Sequence, residues 1–332
     1  MIDFTDEEEI EAAFEYYRKK GFPFPLLQKH EVIHIFRALQ KSTSKINKEK
    51  TGFFKLYTDI TVQSVGDAML ASFFHPHIWE SKAAGMRSPL QSWDIDKSLE
   101  KIFINCLKFS GKIDEKQVRT FARTVNGTQM CSNFRPTAAK AVYDYFSAEN
   151  VLDMSTGYGG RLIGFLASKS EGVYIGIDPN KKTCAANKQI AKTFKSLKRV
   201  KIICQPFEDV SIEKLGIPDL AFTSPPYFSK EIYDEDSPTQ SRERYVNYEA
   251  WRKNFLFVMI KKTYQVLPKK GILALNINDV KIKNKKYPLV KDSIEFAKHI
   301  GFVFDETLYM KFSGFGKGLK KTKHEPILIF VK

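Results

Sequence analysis

Cysteine is scarce. The four in the 332-residue chain, Cys106, Cys131, Cys184 and Cys204, lie far apart and form no C-x-x-C pair. That argues against a disulfide framework or a zinc ribbon and fits a reducing, cytoplasmic setting. No apolar run of about 18 residues occurs, so no helix of this sequence is expected to span a bilayer. Met1 to Ile10 is acidic and lacks the apolar core of a signal peptide. There is no internal repeat and no low-complexity tract, so solenoids and wholesale disorder are not expected. Histidine is sparse too. His75-Pro76-His77 stands among Phe73, Phe74 and Trp79 with no cysteine or acid cluster nearby, and no metal site is expected.

Acidic balance is also missing. Lys and Arg number 53 against 38 Asp and Glu, a formal charge of +15. Residues 1–20 hold seven acids and three bases, whereas residues 281–332 hold 12 lysines and five acids. The basic excess therefore lies away from the N-terminus and points to a polyanionic partner such as nucleic acid. Hydrophobic residues make up 43% and aromatic residues 13%, enough for one large globular domain or two ordinary ones.

Periodicity divides the chain near residue 130. Residues 1–129 are expected to be mainly helical, with helices over 1–20, 27–40, 98–108 and 114–124, and over 41–60 a polar, Lys-rich loop leading to a short extended piece. From 130 to 332 strands alternate with helices. Strands are expected at 151–153, 173–177, 200–204, 220–223, 271–277, 302–311 and 325–331. Helices fall between them, the longest over 248–267. This alternation predicts a mostly parallel, Rossmann-like α/β sheet whose last two strands form an antiparallel hairpin.

Two motifs sit at strand ends. Asp153-Met154-Ser155-Thr156-Gly157-Tyr158-Gly159-Gly160 follows a strand and opens a helix. Its glycines permit close backbone approach, while a carboxylate ahead of them suits a cationic ligand better than a pyrophosphate. S-adenosylmethionine, with its ammonium and sulfonium, fits that pattern. Asp178, ending the next strand, is placed to accept from ribose hydroxyls. The second motif, Ser224-Pro225-Pro226-Tyr227-Phe228, leaves the fourth strand. Its prolines expose carbonyls on a rigid turn beside an aromatic ring, a site for a planar group that carries an amine.

With these motifs the sequence resembles the DNA amino-methyltransferases, which methylate the exocyclic amine of cytosine or adenine. The resemblance covers roughly residues 130–332. It includes Ser132-Asn133-Phe134-Arg135-Pro136 before the glycine motif and His324-Glu325-Pro326-Ile327 in the last strand. It implies a class I S-adenosylmethionine fold with a cofactor site at Phe134, Asp153, Ser155, Gly157, Gly159, Asp178, Phe207 and Glu208. The catalytic tetrad would be Ser224, Pro225, Pro226 and Tyr227. The serine form of the tetrad implies N4-cytosine first and N6-adenine next, with Tyr227 stacked on a flipped-out base. The sequence departs from the family at Met154 and Ser155, and again where the third strand ends in Cys204-Gln205-Pro206-Phe207-Glu208-Asp209.

No long insert is available as a target-recognition domain. That role would fall to residues 1–129 and two loops. Arg242 and Arg244 in 229–247, and Lys317, Lys320, Lys321 and Lys323 in 313–323, are the candidate phosphate contacts. Cys131 and Cys184 are expected to be packing residues, which disfavours covalent cytosine C5 chemistry. Alternatives are an RNA guanine-N2 or adenine-N6 methyltransferase, or a nucleic-acid-binding module that keeps the fold without the activity.

Overall fold

The computed structural model describes residues 4–42, 46–51, 55–61, 67–194, 198–235, 237–312 and 323–332. Nine strands join in one sheet: β1 (Ile46–Thr51), β2 (Lys55–Thr61), β3 (Asn150–Asp153), β4 (Val173–Asp178), β5 (Arg199–Cys204), β6 (Leu220–Thr223), β7 (Ile272–Asn276), β8 (Val303–Phe312) and β9 (Lys323–Val331). Their spatial order is β1-β2-β8-β9-β7-β6-β3-β4-β5. From β7 to β5 every neighbouring pair is parallel. β9 pairs antiparallel with both β7 and β8, so the fold is a Rossmann-like sheet closed by a reversed C-terminal strand. The central strands read as near-continuous apolar runs because both faces are covered. Val151, Leu152, Leu220, Ala221, Phe222, Leu273, Ala274 and Leu275 are all buried.

The polar stretch 41–60, expected as a loop leading to a short extended piece, supplies two strands, β1 and most of β2. They pair antiparallel, and β2 runs parallel to β8, which extends the sheet at that edge. No alternation announces these strands, because their residues are mostly Lys, Thr, Asn and Glu. The expected long helix 248–267 is interrupted by a π-turn over Arg252–Leu256. The extra residue in that turn lets Trp251, Phe255 and Leu256 all be buried.

The N-terminal region divides between two cores. Val32, Phe36, Leu39, Ile60, Leu70 and Phe74 pack in the same cluster as Ala139, Val142, Leu162 and Phe165 of the α/β part. Tyr17, Trp93, Leu99, Phe103 and Val118 form a cluster of their own. Helix α1 (Pro136–Phe146) lies tight against α2 (Gly160–Ala167). A Cβ on Gly160 would fall 1.9 Å from the Phe134 carbonyl oxygen, so this last glycine of the motif serves packing rather than ligand approach.

Asp153 has a different place from the one expected. It is wholly buried and accepts from Arg161 Nε at 2.8 Å, Arg161 Nη2 at 3.1 Å, Tyr174 Oη at 2.6 Å and Thr223 Oγ1 at 3.1 Å. It does not line the cavity described below. The carboxylate therefore ties β3, β4, β6 and α2 together. Removing one partner of such a buried pair costs about 3–5 kcal/mol. Asp153→Ala and Arg161→Leu should each lower the unfolding free energy in urea by about that amount, and Asp153→Leu/Arg161→Leu by less than the sum. Additive losses, or losses under about 1 kcal/mol, would remove the pair from this structural role.

Candidate active site

The chain runs outward from β3 through β4 to β5, then returns to place β6 on the other side of β3. At such a reversal the loops leaving the two central strands part, and a crevice opens at their carboxyl ends. The glycine motif leaves β3 here, and the Ser-Pro-Pro-Tyr turn leaves β6. Between them lies a cavity of about 540 Å³, within the range of small-molecule sites. Ala71, Ser72, Ile78, Ala83, Arg123 and Gln129 of the N-terminal part help complete its wall.

The glycine turn is built around Asp178. The Gly157 N–H donates to Asp178 Oδ2 at 2.9 Å and the Asn180 N–H to Oδ1 at 2.9 Å. Thr156 donates from both its N–H and its hydroxyl to the Ile177 carbonyl, each at 2.9 Å. Gly157 takes φ +54°, and a Cβ there would meet nothing nearer than the Ser155 carbonyl oxygen at 3.9 Å, so the turn leaves free space for a ligand. Gly159, at φ +74°, differs: its Cβ would strike Asn187 Oδ1 at 2.6 Å and come within 3.3 Å of His75 Cε1. His75 is wholly buried beneath this turn, and His77 meets Thr183 Oγ1 at 3.0 Å. Burial pushes the His75 imidazole down to about 3 and the His77 imidazole to about 4. Both pack against the Tyr158 ring of the glycine motif, a contact that their distance along the chain did not signal. Among the described residues no group of three or more His, Cys, Asp or Glu could hold a metal. Cys131 and Cys184 are buried.

The tetrad is organised by residues the sequence did not single out. Asn276, ending β7, donates from Nδ2 to the Pro326 carbonyl at 2.8 Å, which turns its Oδ1 toward the tetrad. The Ser224 hydroxyl donates to that Oδ1 at 2.8 Å. With its hydrogen committed, the Ser224 oxygen is left as an acceptor. The Tyr227 hydroxyl reaches Glu325 Oε1 at 2.9 Å and Asn276 Oδ1 at 3.2 Å. Tyr227 is buried, so its ring contributes to the wall while its hydroxyl is anchored inward, away from the free stacking position expected of it. Glu231 Oε2 accepts the Tyr227 N–H at 3.3 Å, and burial pushes the Glu231 carboxyl above its ordinary range. Ser224, Pro226 and Tyr227 line the cavity together with Glu231 and Glu325.

Phe134, Ser155, Phe207 and Glu208 also reach the cavity wall. Glu208 accepts from the Tyr245 hydroxyl at 3.0 Å and pairs with Arg244 at 3.1 Å, and burial raises its carboxyl above the usual range. Arg244 also forks onto both oxygens of Asp209, at 2.8 and 2.9 Å. It is thus engaged in holding the segment after β5, which explains why it is not a free phosphate contact. Arg242 lines the cavity, with Glu243 at 3.6 Å. Lys317, Lys320 and Lys321 lie outside the described residues, and of Lys323 only its place at the start of β9 is described.

Comparison with known proteins agrees with this arrangement over part of the chain. Residues 218–332 match a family described as DNA methylase, a span that opens just before β6 and includes the tetrad, Asn276 and Glu325. The Type II methyltransferase M.MjaVI of Methanocaldococcus jannaschii is 31% identical over 119 residues, covering 36% of this chain. The chain spans 57% of that relative's length. Among solved structures, an S-adenosylmethionine-dependent O-methyltransferase of Thermotoga maritima superposes with a TM-score of 0.41 at 11% identity, covering 61% of this chain and 67% of that one. A methyltransferase of Pyrococcus furiosus gives 0.38 at 16% identity, covering 64% and 93%.

Asp178 makes this site pH-sensitive. Burial pushes its carboxyl up to about 6 from 3.8, against the pull of the Asn180 and Gly157 N–H groups. The folded state thus holds its proton more tightly than the unfolded state. Its contribution to stability is full below about pH 4 and is lost as pH rises to about 6, by about 3 kcal/mol. Asp178→Asn should therefore gain on wild type by about that amount between pH 4 and pH 7.5, whatever its fixed cost. Urea unfolding at both pH values measures this, and a pH-independent difference would contradict it.

Proposed function

We propose that the chain is an S-adenosylmethionine-dependent DNA amino-methyltransferase that acts on the exocyclic amine of a flipped-out base, N4 of cytosine first and N6 of adenine next. The observation that carries this reading is the commitment of the Ser224 hydrogen to Asn276 Oδ1, which leaves an acceptor oxygen on a cavity wall shared with Gly157 and Asp178. The match of residues 218–332 to the DNA methylase family and the net charge of +15 support a nucleic-acid substrate.

The residues present fit the cofactor. Open space above Gly157 admits an adenosyl group where a side chain would intrude. Asp178 would accept ribose hydroxyls, with Phe207 and Glu208 as the adenine-end wall. Phe134, whose ring lies 5.3 Å from the Arg161 guanidinium, would close the other side. When bound, the cofactor supplies a methyl group made electrophilic by its sulfonium.

The chain's own part is to make a poor nucleophile reactive. The lone pair of a base amine is delocalised into the ring. Ser224 Oγ would accept one of its N–H groups, concentrate electron density on nitrogen and aim it at the methyl carbon; Pro225, expected to share this role, is buried and not among the residues lining the cavity. As nitrogen takes the methyl group, the cofactor's sulfur would keep the carbon–sulfur electron pair, and the amine proton held by Ser224 Oγ would pass to water. The tetrad lies in a cavity wall, so a duplex base would have to leave its stack to meet it. Anchoring of Tyr227 by Glu325 and Asn276 would fix the depth at which the base stops.

Labelled cofactor incubated with duplex DNA, single-stranded DNA and tRNA should yield N4-methylcytosine in DNA by mass spectrometry. Modified guanine or adenine in tRNA alone would overturn the DNA assignment. Ser224→Ala should lower kcat about 10- to 100-fold with KM little changed, as its hydrogen bond matters most when charge develops on nitrogen. Tyr227→Phe should lose about tenfold in kcat, since the ring is kept but its anchor on Glu325 is gone. Affinity for S-adenosylhomocysteine should fall about tenfold per pH unit below about pH 6 as Asp178 takes up a proton, and Asp178→Asn should abolish that dependence.

A further inference from the structure

One cation on the cavity wall goes unanswered by the described residues. Arg123 follows the helix Glu115–Ala122, in the part of the chain outside the matched family, and lines the same cavity. Its guanidinium lies 4.6 Å from the centre of the Trp79 ring. Its Nε is buried without a hydrogen-bond partner, and Nη2 reaches Ser72 Oγ at a long 3.4 Å. Among the described residues no carboxylate pairs with it. Burial and the neighbouring Arg119 both hold it below the ordinary arginine range. Two other cavity arginines differ: Asp153 answers Arg161, and Glu243 lies beside Arg242. A desolvated guanidinium without a counter-charge is unfavourable in the empty protein and becomes favourable when a ligand brings the anion.

Its surroundings say which anion. The Trp79 ring beneath Arg123 belongs to one buried cluster with Tyr158, the residue between Gly157 and Gly159. Arg123 thus stands over the same cluster that packs the glycine motif, and its planar fork suits a carboxylate. We propose that Arg123 binds the carboxylate at the amino-acid end of the cofactor, so that the N-terminal region completes the cofactor site. The proposal rests on the cofactor reading above.

Calorimetry with two probes tests it. S-adenosylhomocysteine carries the carboxylate; 5′-methylthioadenosine keeps the adenosine and the sulfur but has no amino-acid end. Arg123→Met should lose about 10- to 100-fold in affinity for S-adenosylhomocysteine while binding 5′-methylthioadenosine as wild type does, and Arg123→Lys should recover part of the loss. The ligand-free Arg123→Met protein should melt no lower than wild type, because an uncompensated buried charge has been removed. Equal losses for both probes, or a lowered melting temperature that accounts for the loss, would make Arg123 a packing residue and overturn the proposal. Unchanged S-adenosylhomocysteine affinity with weakened oligonucleotide binding would assign the anion to a phosphate instead. If wild type binds neither probe, the cofactor reading itself fails.

Discussion

Five hydrogen-bond donors converge on the buried carboxylate of Asp153: two from Arg161, the Tyr174 and Thr223 hydroxyls, and the Ser155 N–H at 3.2 Å. They come from β4, β6, the start of α2 and the turn between β3 and α2. Arg161 also donates to the Ser155 carbonyl, so one side chain sets the height of the whole turn above the sheet. The open face at Gly157, the reach of Asp178 and the position of Ser224 after Thr223 all depend on this pair. An acid at this point acts on a ligand through the backbone it shapes.

A second, smaller network governs the other half of the cavity. Asn276 links β7 to β9 through the Pro326 carbonyl and to the tetrad through Ser224 and Tyr227. Its amide has one orientation that satisfies all of these groups, and that orientation decides whether Ser224 presents a hydrogen or a lone pair. Around the cavity, burial raises the carboxyls of Asp178, Glu208 and Glu231, so these acids are held poised by surroundings that a ligand would alter.

The strands of the α/β part were legible because burial on both faces writes itself as short apolar runs such as Val151-Leu152 and Leu220-Ala221-Phe222. The two motifs were legible because glycine and proline carry backbone constraints in their own chemistry. β1 and β2 were legible only as a short extended piece, since strands this rich in Lys, Thr and Asn leave no periodic trace. Nor were Asn276, Glu231 and Arg123, whose partners are 52, 4 and 51 residues away and whose types occur all over a charged surface.

By itself the sequence determined the alternating sheet and the two motifs at strand ends, because these follow from local periodicity and from residue-specific backbone freedom. Only the tertiary structure decided that Asp153 faces the core, that Arg244 is spent on Glu208 and Asp209, and that Tyr227 turns its hydroxyl inward. Each of those outcomes depends on which charge or hydrogen-bond partner packing brings within about 3 Å, and that distance is set by elements far apart in the chain.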